Sequence, residues 1–167
     1  MHTAALEWVQ KFATDENITI LDLGGRDING TPRALFPRSV YTTLDILPGE
    51  NVHIVADAAT WEPTRQWDMV LATEVFEHTP AWPLICKTAF KALRPGGMFV
   101  TTMAGPGRGP HSGVDGENLK EGEHYQNIEP EWLRLALEEC GFVEIEIEHL
   151  QGTYACDVRA VARKASE

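Results

Sequence analysis

The sequence predicts an α/β domain with a mostly parallel sheet and a C-terminal antiparallel β-hairpin, and three observations carry that reading. Three short apolar runs each deliver an acid at their end: Asp22 in Ile18–Leu23, Asp45 after Val40–Leu44, and Asp57 after Val52–Ala56. Runs of this length bounded by turn residues read as buried parallel strands, whose carboxyl ends line the crevice where open α/β sheets bind ligands. Segments of helical period alternate with them. Last, Phe142–His149 and Tyr154–Arg163 are strand-like and separated by about five residues, too few for a parallel crossover, so this pair is a hairpin.

Leu6, Val9 and Phe12/Ala13 recur at helical spacing and predict a helix over about residues 3–14 that lies on the sheet. Residues 18–23 form the first strand. Thr31 as cap and Pro32 at the first helical position open a short helix through Phe36, which Pro37 ends. The second strand, 40–45, and the third, closing on Asp57, are separated only by Ile46–Asn51, which leaves no room for a full crossover helix. Trp67–Thr73 is the fourth strand. Thr79-Pro80 repeats the cap-plus-proline signal for a helix to about Arg94, with Trp82, Ile85, Ala89 and Leu93 inward. Pro95-Gly96-Gly97 breaks it, and Met98–Met103 is the fifth strand. Residues 104–128 hold six glycines, two prolines and no apolar period, the mark of a functional loop or lid. Glu129-Pro130 opens the last helix, with Trp132/Leu133, Ala136/Leu137 and Cys140 inward and Gly141 as its stop. The whole is a trimmed Rossmann-like arrangement in one domain, 1–167.

Composition narrows the function. With 43% hydrophobic and 23% charged residues the chain is globular, and its apolar runs are too short to span a bilayer. The N-terminus lacks the basic start of a signal peptide. Three cysteines, Cys86, Cys140 and Cys156, show no CxxC spacing, which points to reduced thiols and a cytoplasmic setting rather than a disulfide frame or zinc knuckle. A net charge of −11 repels phosphate backbones and disfavours a nucleic-acid partner. A small acceptor, no membrane, and a monomer or homodimer are expected.

The ordered motifs Asp22-Leu23-Gly24-Gly25, Leu44-Asp45-Ile46, Val55-Ala56-Asp57-Ala58, Asp68–His78, Leu93-Arg94-Pro95-Gly96-Gly97 and the terminal hairpin resemble class I S-adenosylmethionine-dependent methyltransferases, of the small methyltransferase-domain group typified by ubiquinone-biosynthesis-like enzymes. The resemblance runs from Ile18 to Lys164. It implies S-adenosylmethionine as cofactor. Gly24 and Gly25 then let the backbone approach the ligand, Asp45 accepts from the ribose hydroxyls, and Asp57-Ala58 meets the adenine, with Ile46 on its face. Asp22 fixes the glycine turn or receives the ammonium group through water, and Thr73 and Glu74 meet the methionine portion. Arg26 and Ile28 depart from the family's glycine pattern. Arg26 reaches the methionine carboxylate, reaches a neighbouring acid, or crowds the pocket.

Methyl transfer is a displacement on an activated sulfonium, so positioning carries most of the catalysis. A hydroxyl or amine acceptor also calls for a base, and His124, ahead of His111, is the candidate. Deleting part of 107–122 is expected to spare cofactor binding and abolish transfer. Some relatives with a Glu-x-x-Glu-His segment hold a divalent metal, which here implies Glu74, Glu77, His78 and a later histidine such as His124; others carry it with no metal, and none is assigned. The functional reading is methyl transfer to a small-molecule or sugar-like acceptor at oxygen or nitrogen. Two alternatives stand. One is a nucleic-acid or protein methyltransferase, although Thr73-Glu74-Val75-Phe76 is not the Asn/Asp-Pro-Pro-aromatic motif of many amino-methylating DNA enzymes. The other is a dinucleotide-binding or non-catalytic domain, although Gly24–Asn29 is not a G-x-G-x-x-G phosphate cradle.

Overall fold

A computed structural model describes residues 2–152 and 156–167. Strands β1 (Thr19–Leu23), β2 (Val40–Asp45), β3 (Ile54–Val55), β4 (Trp67–Thr73), β5 (Leu93–Ala104), β6 (Phe142–Leu150) and β7 (Asp157–Lys164) form one sheet in the order β3-β2-β1-β4-β5-β7-β6. All neighbours from β3 to β5 are parallel, and β7 runs antiparallel to both β5 and β6. The predicted fold class holds, down to the hairpin. The order reverses at β1/β4, so the carboxyl ends of β1, β2 and β4 open a crevice.

Period-two alternation splits the strands between two cores. Ile20, Met69, Leu71 and Val100 pack with Trp8 and Val9 of α1 (Thr3–Gln10). Leu21, Leu23, Val70, Ala72 and Phe99 pack with α2 (Trp82–Ala92) and α3 (Pro130–Cys140) on the other face. A short 3-10 turn, Pro32–Leu35, is the only helical element between β1 and β2; the Thr31 side chain accepts from Arg33 N–H, as its capping signal predicts.

Several boundaries differ from expectation. The first helix stops at Gln10 rather than near 14, because the N–H groups of Lys11, Phe12 and Ala13 bond three residues back and tighten the chain. Its buried face is Ala5, Trp8 and Val9, and Leu6 is turned outward. After β4, Phe76–His78 forms a 3-10 turn, and Thr79 Oγ1 caps Ala81 N–H, so α2 begins at Trp82 with Pro83 in its first turn. β5 starts at Leu93, directly from the helix, and Pro95-Gly96-Gly97 lie within its register shift against β4, between the Trp67–Leu93 and Met69–Met98 pairs. β3 is reduced to two residues. Trp132 faces solvent at 53% exposure while Leu133, Ala136 and Leu137 are buried. A bulge between Val143 and Glu146, with Glu144 at φ 50, turns Val143 outward. Tyr154, the predicted start of the last strand, lies outside the described residues; β7 runs to Lys164. Residues 105–129 carry no helix or strand, as their composition predicts. No described helix is long and apolar enough to cross a membrane.

Candidate functional site

The turn after β1 is bonded to β2: Gly24 N–H and Gly25 N–H both donate to Leu44 O, at 2.7 and 3.2 Å. Gly24 sits at φ +73, where a Cβ would come within 2.5 Å of Val75 Cγ2. A Cβ on Gly25 would lie 2.3 Å from Asp22 Oδ2. The protein's own atoms, before any ligand, require glycine at both positions.

Asp22 is fully buried beneath this turn. Tyr41 Oη donates to its Oδ2 at 2.7 Å, and Oδ1 has no partner. Burial, reinforced by the charge of Asp45, pushes its carboxyl up to about 6 despite the Tyr41 hydrogen bond. Tyr41 escaped sequence reasoning; its signal is the parallel register of β1 and β2, which only the fold supplies.

Asp45 organises the neighbouring turns. Its Oδ2 accepts from Arg26 N–H at 3.1 Å and its Oδ1 from Leu47 N–H at 2.9 Å, with Arg26 Nε 3.8 Å from Oδ1. Arg26 thus reaches the neighbouring acid, and its Nη2 donates onward to Val114 O of the 105–129 connection at 3.1 Å. Asn51 ties the glycine turn to the β2–β3 loop through Gly25 O and Asp27 N–H. Asp57 is exposed, its Oδ1 accepting from Ala59 N–H, beside buried Ala58.

Two adjoining cavities of about 340 and 570 Å³ occupy this edge. Asp45, Ile46, Asp57, Ala58, Val75 and His124 line the smaller one. His2, Asp22, Asn29, Thr73, Arg108 and His111 line the larger. Arg26, Ile28, Glu74, His78 and Gly113 face both and mark where they meet. The two histidines expected near a sulfonium are therefore on different cavities.

Glu74 stands at the end of β4 in the left-handed region, at φ 57, a conformation a non-glycine residue keeps only when its surroundings hold it. Its N–H donates to Thr102 O at 2.8 Å, and Thr102 Oγ1 donates to its Oε1 at 2.9 Å. Its other oxygen, Oε2, lies 3.1 Å from His2 Nε2. Burial raises the carboxyl, but the His2 and Thr102 hydrogen bonds and the Arg108 charge hold it below the usual glutamate range.

The metal set that the family resemblance implies is not what the fold assembles. Glu74 Oε2 pairs with His2, Glu74 is not grouped with Glu77 and His78, and His124 lines the smaller cavity. Among the described residues, Glu77, His78 and His111 offer ligand atoms within 4.8 Å of one another. Glu77 is fully buried; its Oε1 accepts from Ala104 N–H at 3.1 Å while Oε2 is without a partner. Burial and the charge of Glu74 raise its carboxyl well above the usual range. The same burial, with His111 close by, lowers His78 to about 4. His78, His111 and Tyr125 stack edge-on at 4.9 to 5.8 Å, and Gly113 passes so close that a Cβ there would sit 2.8 Å from the His78 ring.

A family model described as "Methyltransferase domain" matches residues 1–147. No curated protein sequence matches the chain. Among solved structures, 1,6-didemethyltoxoflavin-N1-methyltransferase of Burkholderia thailandensis, with 1,6-didemethyltoxoflavin and S-adenosylhomocysteine bound, is 16% identical with a TM-score of 0.72, covering 97% of this chain and 79% of that one. Phosphoethanolamine N-methyltransferase 2 of Haemonchus contortus, with S-adenosyl-L-methionine, is 16% identical at TM-score 0.69; the match covers 97% of this chain and 52% of that protein. A SAM-dependent methyltransferase of Methanosarcina mazei is 14% identical at TM-score 0.70, covering 95% of this chain and 98% of the other. With a family model spanning most of its length and a fold shared with these structures, the chain belongs to the methyltransferase-domain family of class I S-adenosylmethionine-dependent enzymes.

Proposed function

We propose that this protein transfers a methyl group from S-adenosylmethionine to a polar, small-molecule or sugar-like acceptor, at oxygen or nitrogen. The observation that carries the reading is the pair of cavities meeting at Arg26, Glu74 and His78. The smaller presents a carboxylate, an exposed aliphatic and a second carboxylate in Asp45, Ile46 and Asp57, a set suited to a ribose, the face of a purine and its exocyclic amine. The larger has room for the methionine portion and an acceptor beyond it.

S-adenosylmethionine brings an electrophilic methyl group already activated on sulfur; the chain's residues bind, orient and remove a proton. Asp22 Oδ1, buried and without a partner, suits the ligand's ammonium group. Thr73 and Glu74 fix the methionine end. Between the two candidate bases we favour His111, because it lines the larger cavity while His124 lines the smaller. His111 Nδ1 is 3.2 Å from Gly109 O; donating there leaves the other ring nitrogen to accept the acceptor's proton as the new carbon–heteroatom bond forms.

The acceptor end of the larger cavity is bounded by Asn29, Thr31, Arg108, His111 and Ser112, with Ile28 and Pro32 as its aliphatic members and, among the described residues, no aromatic ring besides imidazoles. That lining favours a polar acceptor. The small-molecule methyltransferases among the solved structures support the same class, and the net charge of −11 argues against nucleic acid. We read the enzyme as cytoplasmic, acting as a monomer or homodimer, with its free cysteines reduced.

Calorimetric titration with S-adenosylmethionine, S-adenosylhomocysteine and NAD⁺, with and without EDTA, tests this. Micromolar binding of the first two alone is expected. Binding of NAD⁺ alone, or of none, would sink the methyltransferase reading. Loss of binding with EDTA would show that a metal ion takes part in binding.

A further inference from the structure

Helix α1 is fixed to the sheet by buried Ala5, Trp8 and Val9, and by Trp8 Nε1, which donates to Ala160 O of β7 at 3.3 Å. This docking brings the residue ahead of the helix to the edge where β4 ends. His2 occupies the capping position, and its carbonyl accepts Leu6 N–H at 3.1 Å, but its ring makes no capping bond. The ring turns into the site instead. Because β7 runs antiparallel to β5, its first residue, Asp157, opposite Ala104, reaches the same edge as Glu74. His2 Nε2 lies 3.1 Å from Glu74 Oε2 and 3.2 Å from Asp157 Oδ2. Arg108, from the 105–129 connection, donates from Nη1 to Asp157 Oδ1 at 2.6 Å, the same nitrogen lies 3.1 Å from His2 Nε2, and its Nη2 is 3.8 Å from Glu74 Oε2.

We propose that His2 is a positioning residue of the methyl-transfer site: with Arg108 it clasps Glu74 and Asp157, closing one end of the larger cavity and holding the segment before α1 and the 105–129 connection to the strand edge. The proposal rests on the methyltransferase reading above.

Charge balance is the physical basis. Asp157 is 1% exposed, and a carboxylate so buried persists only when paired. Two cations and two carboxylates from four parts of the chain meet the requirement together. The close contacts with Asp157, then with Glu74, raise His2 to about 9 although burial opposes the shift, which favours the imidazolium at neutral pH. The other groups facing this quartet are Cys156 beside Asp157 on the cavity wall, and Glu77 and Tyr125, which feel the Glu74 charge. Removing the His2 charge leaves Arg108 alone between two carboxylates. Glu74, which faces both cavities from a left-handed backbone, then loses the partner that orients its Oε2. The effect reaches the point where cofactor and acceptor meet, although His2 itself takes no part in the chemistry.

The test is calorimetry with S-adenosylhomocysteine on wild-type protein, His2→Gln and His2→Lys between about pH 6.5 and 10, with an NMR titration of the His2 ring in wild type and Glu74→Gln. Wild-type affinity should hold to about pH 8 and fall through pH ~9. His2→Gln should bind roughly tenfold more weakly at neutral pH, the scale of a lost charge-assisted hydrogen bond, with no fall near pH ~9. His2→Lys should restore neutral-pH affinity and move the fall to higher pH. The ring should titrate near pH ~9 in wild type and lower in Glu74→Gln. His2→Gln binding like wild type at every pH, or a wild-type ring titrating near the ordinary pH ~6.5, overturns the proposal. If wild type binds no S-adenosylhomocysteine, the methyltransferase reading has failed and the ring titration alone decides whether the clasp exists.

Discussion

Arg26 donates from its guanidinium to the backbone carbonyl of Val114, 3.1 Å away, joining the turn after β1 to the middle of the connection that covers the site. The side chain lies against Gly49, where a Cβ would meet Arg26 Cγ at 3.0 Å, and its stem is pinned from below by Asp45. This arrangement makes Arg26 a tether. Arg26→Ala should leave the fold intact but loosen the connection, so tryptic cleavage after Lys120 should accelerate several-fold, as expected when a local opening becomes easier. Unchanged cleavage kinetics would show that the internal bonds of the connection hold it without the tether.

Asp45 has two jobs that one substitution would confuse. Its carboxylate accepts from Arg26 N–H and Leu47 N–H, and in the proposed complex it also receives the ribose hydroxyls. Asp45→Ala should weaken S-adenosylhomocysteine binding by about 2–3 kcal/mol, the scale of hydrogen bonds lost to a charged group. Asp45→Asn preserves shape and one acceptor oxygen, so its loss should be smaller, and comparing the two separates ligand contact from turn geometry. Equal affinity in wild type and Asp45→Ala, measured by calorimetry, would remove this residue from the cofactor site.

Asp22 should show a conflict between stability and binding. Its carboxyl is raised from 3.8 to about 6 by burial. An acid raised in the folded state disfavours the ionised fold, so stability falls as pH rises from about 4 to 6 and the full cost remains above that. Asp22→Asn should therefore be more stable than wild type by roughly 1–3 kcal/mol at neutral pH, with the difference shrinking as pH falls from about 6 and gone below pH ~4. The asparagine carbonyl can still accept from Tyr41. The same variant should bind S-adenosylmethionine more weakly, since the charge facing the cavity is gone. Urea unfolding at several pH values checks the first claim and calorimetry the second.

What could be read in the sequence follows from where the determining contacts lie. β1, β2, β4 and the hairpin were legible because their apolar periods are local. Asp22, Asp45 and Asp57 came with them as strand-end acids, which the fold delivers to one edge. β3 is shorter than its apolar run suggests: Val52–Ala56 is apolar enough for a strand, yet only Ile54 and Val55 find ladder partners on β2. Hydrophobicity alone points Trp132 inward, but α3 buries Leu133, Ala136 and Leu137 and leaves Trp132 and Leu135 outside. The contacts that close the site were invisible for a different reason. His2, Arg108 and Asp157 are far apart in sequence and carry no motif; only antiparallel β7 and the docking of α1 bring them together. Likewise, nothing in the string Glu-Val-Phe-Glu-His tells that Glu74 and Glu77 point to different partners.

The 105–129 connection is more than an acceptor lid. Ser112, 1% exposed, knots it: Ser112 N–H donates to Glu117 O at 2.9 Å, Gly116 N–H to Ser112 O at 3.0 Å, and Ser112 Oγ to Glu123 Oε1 at 2.8 Å. Lys120 pairs with Asp115 on the outside. Its ends are anchored separately, by Asn127 Nδ2 to Arg108 O and Ile128 N–H to Ala104 O. Residues 110–122 can therefore be replaced by a short glycine linker with little disturbance of the core, and the melting temperature should move by only a few degrees. The expectation that such a deletion spares cofactor binding changes, because Gly113 and Val114 also wall the smaller cavity and Val114 holds Arg26. S-adenosylhomocysteine affinity should fall several-fold, and methyl transfer, which in our reading needs His111, should be lost. Calorimetry and a tritiated-methyl transfer assay on the same variant read the two effects independently. Transfer at wild-type rate would mean that neither His111 nor the covering connection contributes to catalysis.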